Sequence, residues 1–145
     1  MKLIFKLFFI VSILFLITNC KSKTNEPFLE NIPEQLKRVW MLVEFQDFKK
    51  EDLIKNEAQL NLADLKNAYA KMGCNQIGFS IEFKKDKIKF LNPIKTRIFC
   101  ENKMKLEDAF SKSLSETYSQ TIKGHTLTLL NSKNEKMVFV AQDWD

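Results

Sequence analysis

Ile77, Phe79, Ile81 and Phe83 alternate without a break against Gly78, Ser80, Glu82 and Lys84. That period of two predicts a strand with one buried and one solvated face. Lys84-Lys85-Asp86-Lys87 then leads into a second alternation, Ile88 and Phe90 against Lys87 and Lys89, which predicts a hairpin. Ile94, Thr96 and Ile98 predict another strand opening after Pro93, where a proline does not interrupt a ladder. Upstream, residues 38–45 carry Val39, Trp40, Leu42 and Phe45 and read as a buried strand. Residues 59–65 set Leu60, Leu62 and Leu65 against Gln59, Asn61 and Asp64. After Cys100 the period changes. Leu106, Phe110 and Leu114 fall four apart with Ala109 beside them, while Lys105, Glu107, Asp108 and Lys112 lie off that face. The pattern predicts an amphipathic helix over residues 102–118, with Asn102 as its N-cap. The closing stretch, 121–130 broken at Gly124-His125, 131–135 as a turn, and 137–141, completes a set of strands joined by tight turns. The expected fold class is α+β: a mainly antiparallel, strongly curved sheet of about seven or eight strands with one packed amphipathic helix.

The first thirty residues follow another logic. Lys2 and Lys6 precede an uncharged apolar run, Leu7 to Ile17, which ends at Thr18-Asn19-Cys20 and gives way to Lys21-Ser22-Lys23. The run is shorter than the roughly 20 residues a spanning helix needs, so a cleaved signal peptide over residues 1–19 is expected. Leu16-Ile17-Thr18-Asn19-Cys20 resembles a bacterial lipobox. The resemblance implies that Cys20 becomes the N-terminus and carries lipid, palmitate-type chains on its thiol and amine. Two or three such chains anchor stably, where one would bind only reversibly. Residues 20–33 are polar and read as a lipidated tether, and residues 34–145 as a single domain. The expected location is the cell envelope, lipid-anchored to the outer membrane and facing the periplasm or the exterior.

Charge narrows the partners. The chain has 23 basic and 18 acidic side chains, net +5; without Lys2 and Lys6, 21 remain against 18, a net +3. The lysines are interspersed with acids, which describes a solvated surface and argues, together with export, for no nucleic-acid partner. With Cys20 lipidated, Cys74 and Cys100 are left as an even pair in an oxidising compartment. From the residues alone, two readings stay open: a disulfide, or two buried free thiols packed as small hydrophobes.

Gly73-Cys74-Asn75, with Gly78 just beyond, stands at the head of the best strand; Thr96-Arg97-Ile98-Phe99-Cys100 follows about twenty residues later. Glu107, Phe110 and Leu114 come next on the helix, then Gly124 with Leu127-Thr128-Leu129, then Met137-Val138-Phe139. In this order and spacing the chain resembles the META domain of the HslJ-like heat-shock lipoproteins, with Trp40 and Leu42 agreeing as the first strand. The resemblance implies an exported envelope protein linked to stress, without an established reaction. It implies that Gly73, Cys74, Asn75, Gly78, Thr96 and Cys100 shape the fold and do not bind a ligand. It also adds to the expectation that Cys74 and Cys100 lie on neighbouring strands and are bonded after export.

No catalytic residue is expected. The single histidine, His125, falls in a hairpin turn where an exposed side chain is the simple reading, and nothing pairs it with a cysteine. Zinc-type ligand pairs, phosphate-binding glycine loops and a serine elbow are missing from the sequence, so no metal or cofactor is expected. Asp47, Glu51, Asp52, Glu82, Glu101, Glu107 and Asp108 occur in lysine-rich stretches and read as a solvated face. The favoured function is a non-catalytic envelope lipoprotein, a stress-related binding or envelope-maintenance module. It would meet the membrane through the lipid on Cys20 and take an unidentified protein or small ligand as partner. The alternative is an enzyme or inhibitor module with a site assembled from distant polar residues.

Overall fold

A computed structural model describes residues 32–144. The expected signal peptide, the expected lipid site Cys20 and the expected tether up to residue 31 lie outside the described residues. Eight strands follow in chain order: β1 Val39–Phe45, β2 Gln59–Asn61, β3 Tyr69–Lys71, β4 Gln76–Lys84, β5 Lys87–Lys95, β6 Thr117–Lys123, β7 Thr126–Asn131 and β8 Lys136–Ala141. Each pairs antiparallel with the next, and β8 returns to pair with β1, so the curved sheet closes into an up-and-down barrel. Closure gives every strand a neighbour on both sides, although β1–β2, β3–β4 and β5–β6 meet over three residues each. Together with its own core, this makes residues 32–144 a self-sufficient folding unit.

The alternation seen in the sequence is the in-and-out pattern of the barrel wall. Ile77, Phe79, Ile81 and Phe83 of β4 are buried, as are Ile88 and Phe90 of β5, Leu127 and Leu129 of β7, and Met137, Phe139 and Ala141 of β8. Eight strands enclose an interior that side chains just fill. Aromatic rings do much of that filling: Phe79 meets Phe90 edge-on at 4.9 Å between centroids, and Phe90 meets Tyr118 at 6.4 Å.

Two helices, α1 Lys50–Lys55 and α2 Met104–Ser113, link β1 to β2 and β5 to β6. Both connections fall at the same end of the barrel, where β4 begins and β5 ends. Leu106, Phe110 and Leu114 are buried, with Phe110 edge-on to Phe45 of β1 at 5.8 Å. At the opposite end the chain enters. Ile32 is already buried, Pro33 accepts a bond from the Leu36 amide, and Leu36 offers its carbonyl to the Trp40 indole N–H at 2.9 Å. Ile32 and Pro33, assigned to the tether from composition, therefore belong to the folded unit.

Several elements depart from the sequence reading. The helix is shorter than residues 102–118. Asn102 is not its N-cap: it has φ +67°, and Lys103 precedes the first turn. Tyr118 leaves the helix because its ring fills the barrel from β6 while its hydroxyl donates to the Ser113 carbonyl at 2.9 Å. No separate strand opens after Pro93. Instead β5 runs through it to Lys95, with Ser80 opposite Leu91 and Gly78 opposite Ile94, so Asn92 and Pro93 together face Phe79 in a bulge. The strand expected over 59–65 stops at Asn61, and Asp64 caps a single 3-10 turn, Leu65–Asn67. Helix α1 and strand β3 had no readable period, because α1 buries Leu53 alone and the three-residue β3 buries Ala70 alone.

Candidate functional site

The residues singled out by the sequence motif converge at the helical end of the barrel. Asn75, in the turn between β3 and β4, is buried. Its side-chain oxygen accepts from the Ile98 amide at 2.7 Å and from the Thr96 hydroxyl at 2.8 Å. Its side-chain nitrogen donates to the Ile98 carbonyl at 2.8 Å and to Glu107 Oε1 at 3.0 Å. Its backbone N–H donates to Glu107 Oε2 at 2.7 Å. One amide thus makes four side-chain bonds and ties together the head of β4, the segment after β5, and α2. Thr96 adds a second tie by accepting from the Gln76 amide at 3.2 Å.

Cys74 and Cys100 are bonded, with Cα atoms 6.1 Å apart. Neither stands on a strand. Cys74 lies in the β3–β4 turn and Cys100 in the segment between β5 and α2, so the bond runs parallel to the Asn75 tie and crosses the same gap. Gly73 has φ +111°, and a Cβ there would stand 2.6 Å from Asn56 Oδ1, so glycine is required on two counts. Gly78 is not brought into this cluster. It sits in β4 opposite Ile94, where a Cβ would meet nothing closer than the Ile94 carbonyl at 4.0 Å.

Glu107 is the member that sequence reasoning misplaced. Grouped with the solvated carboxylates, it is completely buried, one residue along α2 from the apolar face. The two Asn75 N–H donors and Lys95, whose ammonium lies 3.1 Å from Glu107 Oε1, hold its charge inside. Lys95 also reaches Asp108 at 3.1 Å. Its bonds to Asp108 and then to Glu107 raise its pKa above the ordinary lysine value. Position 107 in the family-like helix pattern was the available signal; an isolated glutamate in a lysine-rich stretch carries none. The chemistry of the cluster is that of a clasp: every buried polar group in it has a partner, and it offers no nucleophile or open cation site.

A second feature lies on the outside of the wall. Where α1 stands against the outer faces of β1 and β8, a groove of about 650 Å³ opens, lined by Met41, Val43, Ile54, Val140 and Trp144. Its volume is in the range of small-molecule sites. Met41, Ile54 and Trp144 are exposed although large and apolar. Two charges stand at the rim, Lys50 and Glu57; Glu57 is within 3.8 Å of Lys71, whereas Lys50 has no ion pair among the described residues. Trp144 also stacks on His125, with ring centroids 5.1 Å apart. His125 is accordingly half-buried, with its Nδ1 shielded, and not the exposed turn residue that its position suggested.

Among the described residues no group of histidine, cysteine or carboxylate side chains is arranged to hold a metal ion, and no helix is long and apolar enough to cross a membrane.

Comparison with known proteins supports the reading of the motif. The family model of the META domain matches residues 34–144. An NMR structure of a protein from Burkholderia xenovorans superposes with a TM-score of 0.60 at 18% identity, over 74% of this chain and 83% of that one. A second NMR structure gives 0.56 at 16% identity, over 77% and 96%. At such identities the likeness concerns the fold alone. No curated protein matches in sequence. The match extends from the first residues of the folded unit to the end of the barrel and includes every part of the clasp, and the chain belongs to the META domain family.

Proposed function

We propose that this chain is a non-catalytic envelope lipoprotein of the HslJ-like type, anchored through Cys20, whose META domain binds an apolar molecule with an anionic head as part of a stress response or of envelope maintenance. The groove between α1 and the β1–β8 wall is the observation that carries the reading. Its lining is apolar, its size suits a small molecule, and Lys50 stands at its mouth without a carboxylate partner among the described residues. The order of n-region, apolar run and lipobox-like Leu16 to Cys20 supports the anchor. The clasp supports a binding role over a catalytic one, since its polar groups are spent on one another.

The groove is tested with 1-anilinonaphthalene-8-sulfonate, an apolar probe with an anionic head, followed by its fluorescence. Ile54→Glu is expected to weaken binding at least tenfold and Lys50→Glu about fivefold; equal binding by wild type and both variants refutes the assignment. The anchor is tested by labelled palmitate, which is expected to enter the wild type and not Cys20→Ser.

A further inference from the structure

Beyond the groove, the helical end of the barrel carries an apolar ridge that neither the clasp nor the core uses. Ile94 is 77% exposed, Ile98 60% and Phe99 82%, three large apolar side chains within six residues. Ile94 stands uncovered because its cross-strand neighbour on β4 is Gly78, which has no side chain to lay over it. Ile98 and Phe99 are held out by the clasp. Both backbone polar groups of Ile98 are bonded to the Asn75 side chain, Thr96 is tied to Asn75 and Gln76, and Cys100 is bonded to Cys74. The segment is therefore not a loop free to fold its hydrophobes inward, and the ordering cost of presenting them is met by the fold itself.

We propose that this ridge is a bilayer contact, with Ile94, Ile98 and Phe99 entering the headgroup region of an anionic lipid membrane and Arg97 meeting the lipid phosphates. The pattern of charge selects that partner. Arg97 lies between the apolar side chains, is exposed, and has no ion pair among the described residues. On the same end, Lys103, which donates to the Gly73 carbonyl at 3.3 Å, and Lys105, 6.0 Å from the Phe48 ring, share a cleft with Lys49 and Lys55 and with the acids Asp47, Asp52 and Glu101, so that with Arg97 five cations stand against three acids. Apolar groups that protrude among cations match an interface in which hydrocarbon lies beneath a layer of negative charge.

The length of chain before the folded unit permits such an orientation. The folded unit begins at the end of the barrel away from the ridge, and residues 21–31 would reach about 38 Å if extended at roughly 3.5 Å per residue. The nine-residue strand β4 spans about 30 Å. An anchor on Cys20 thus leaves enough chain for the ridge to rest on the same bilayer. The contact itself requires neither the lipid on Cys20 nor the groove.

The test uses a polypeptide of residues 21–145, which contains the whole folding unit, and vesicles of phosphatidylcholine with or without phosphatidylglycerol. Wild type is expected to sediment with the anionic vesicles and less so with the neutral ones, and added salt is expected to weaken binding. Ile98→Ser/Phe99→Ser is expected to lower the partition coefficient at least tenfold, and Arg97→Ala about fivefold. Ile94→Ser, outside the clasp, gives a second reading of the apolar contribution in case the double variant unfolds. Ile54→Glu, in the groove, is expected to leave partitioning unchanged, which separates this proposal from the groove assignment. In the full-length protein in cells, a photocrosslinking residue at position 99 is expected to capture lipid. Equal partition of wild type and ridge variants, or capture of a protein at position 99, overturns the proposal.

Discussion

Replacing Asn75 with leucine, close in size and without polar atoms, removes four side-chain hydrogen bonds at once. One of the four goes to the buried Glu107 carboxylate and is worth about 1.5–3 kcal/mol; the three neutral bonds contribute about 0.5–1.5 kcal/mol each. The Ile98 and Thr96 groups lie near the surface and recover bonds to water, while Glu107 is completely buried and keeps only the Asn75 backbone N–H and Lys95. The expected loss is therefore about 3–5 kcal/mol, or a fall of roughly 12–20 °C in Tm at about 4 °C per kcal/mol for a domain of this size. Urea unfolding followed by tryptophan fluorescence, in which Trp40 is buried in the barrel and Trp144 is already exposed, measures it. A double-mutant cycle with Glu107→Leu is expected to give a combined loss smaller than the sum of the two by more than about 1.5 kcal/mol, because each substitution removes the other's partner. Asn75→Asp adds a second carboxylate in place of the amide that now lies 3.0 Å from Glu107. That variant is expected to lose more stability than Asn75→Leu, because two carboxylates then share one buried site. A loss under about 1 kcal/mol for Asn75→Leu, or additive losses in the cycle, would refute the clasp as the organising element of this end.

Phe110→Ala is expected to cost about 3–5 kcal/mol in the same unfolding assay, since the ring is buried against Phe45. Gly73→Ala is expected to lower Tm more than Gly78→Ala, because the first has positive φ and a close approach to Asn56 and the second has neither. Stability is expected to fall between about pH 10 and pH 12. The stabilisation from the raised pKa of Lys95 is complete below the unfolded lysine value and is lost as pH rises through the folded one. Tyr118, pushed up to about 12 mainly by burial, stays neutral in the fold while the unfolded chain begins to ionise near pH 10, which acts in the same direction. Unfolding midpoints that stay flat over that range would contradict both assignments.

The sequence disclosed what repeats with a period. Strands β4, β5, β7 and β8 and the buried face of α2 were legible because each sets several apolar residues at regular spacing against a solvated side. Short elements escaped for the converse reason: β3 has a single inward residue, and α1 buries only Leu53. The ends of α2 were misplaced because Tyr118 continues the apolar spacing although it belongs to a strand, a tertiary choice that no local propensity contains. The clasp was half legible. Gly73, Asn75, Thr96 and Glu107 could be named from the motif, but the burial of Glu107 and its pairing with Lys95 could not, since a buried ion pair and a solvated one use the same letters. The groove could not be read at all, because it joins residues from β1, α1, β8 and the chain end that are neighbours only after closure.

The clasp shapes the helical end, and the groove on the β1–β8 wall is the proposed binding site. Titrating the isotope-labelled domain with 1-anilinonaphthalene-8-sulfonate and following its NMR signals tests both roles at once. The methyl groups of Met41, Ile54 and Val140 and the indole N–H of Trp144 are expected to shift together along one saturable curve, while the Asn75 side-chain amide and the Thr96 and Ile98 backbone amides stay in place. Shifts centred on Asn75, Thr96 and Ile98 with the groove signals unmoved would contradict this division of roles.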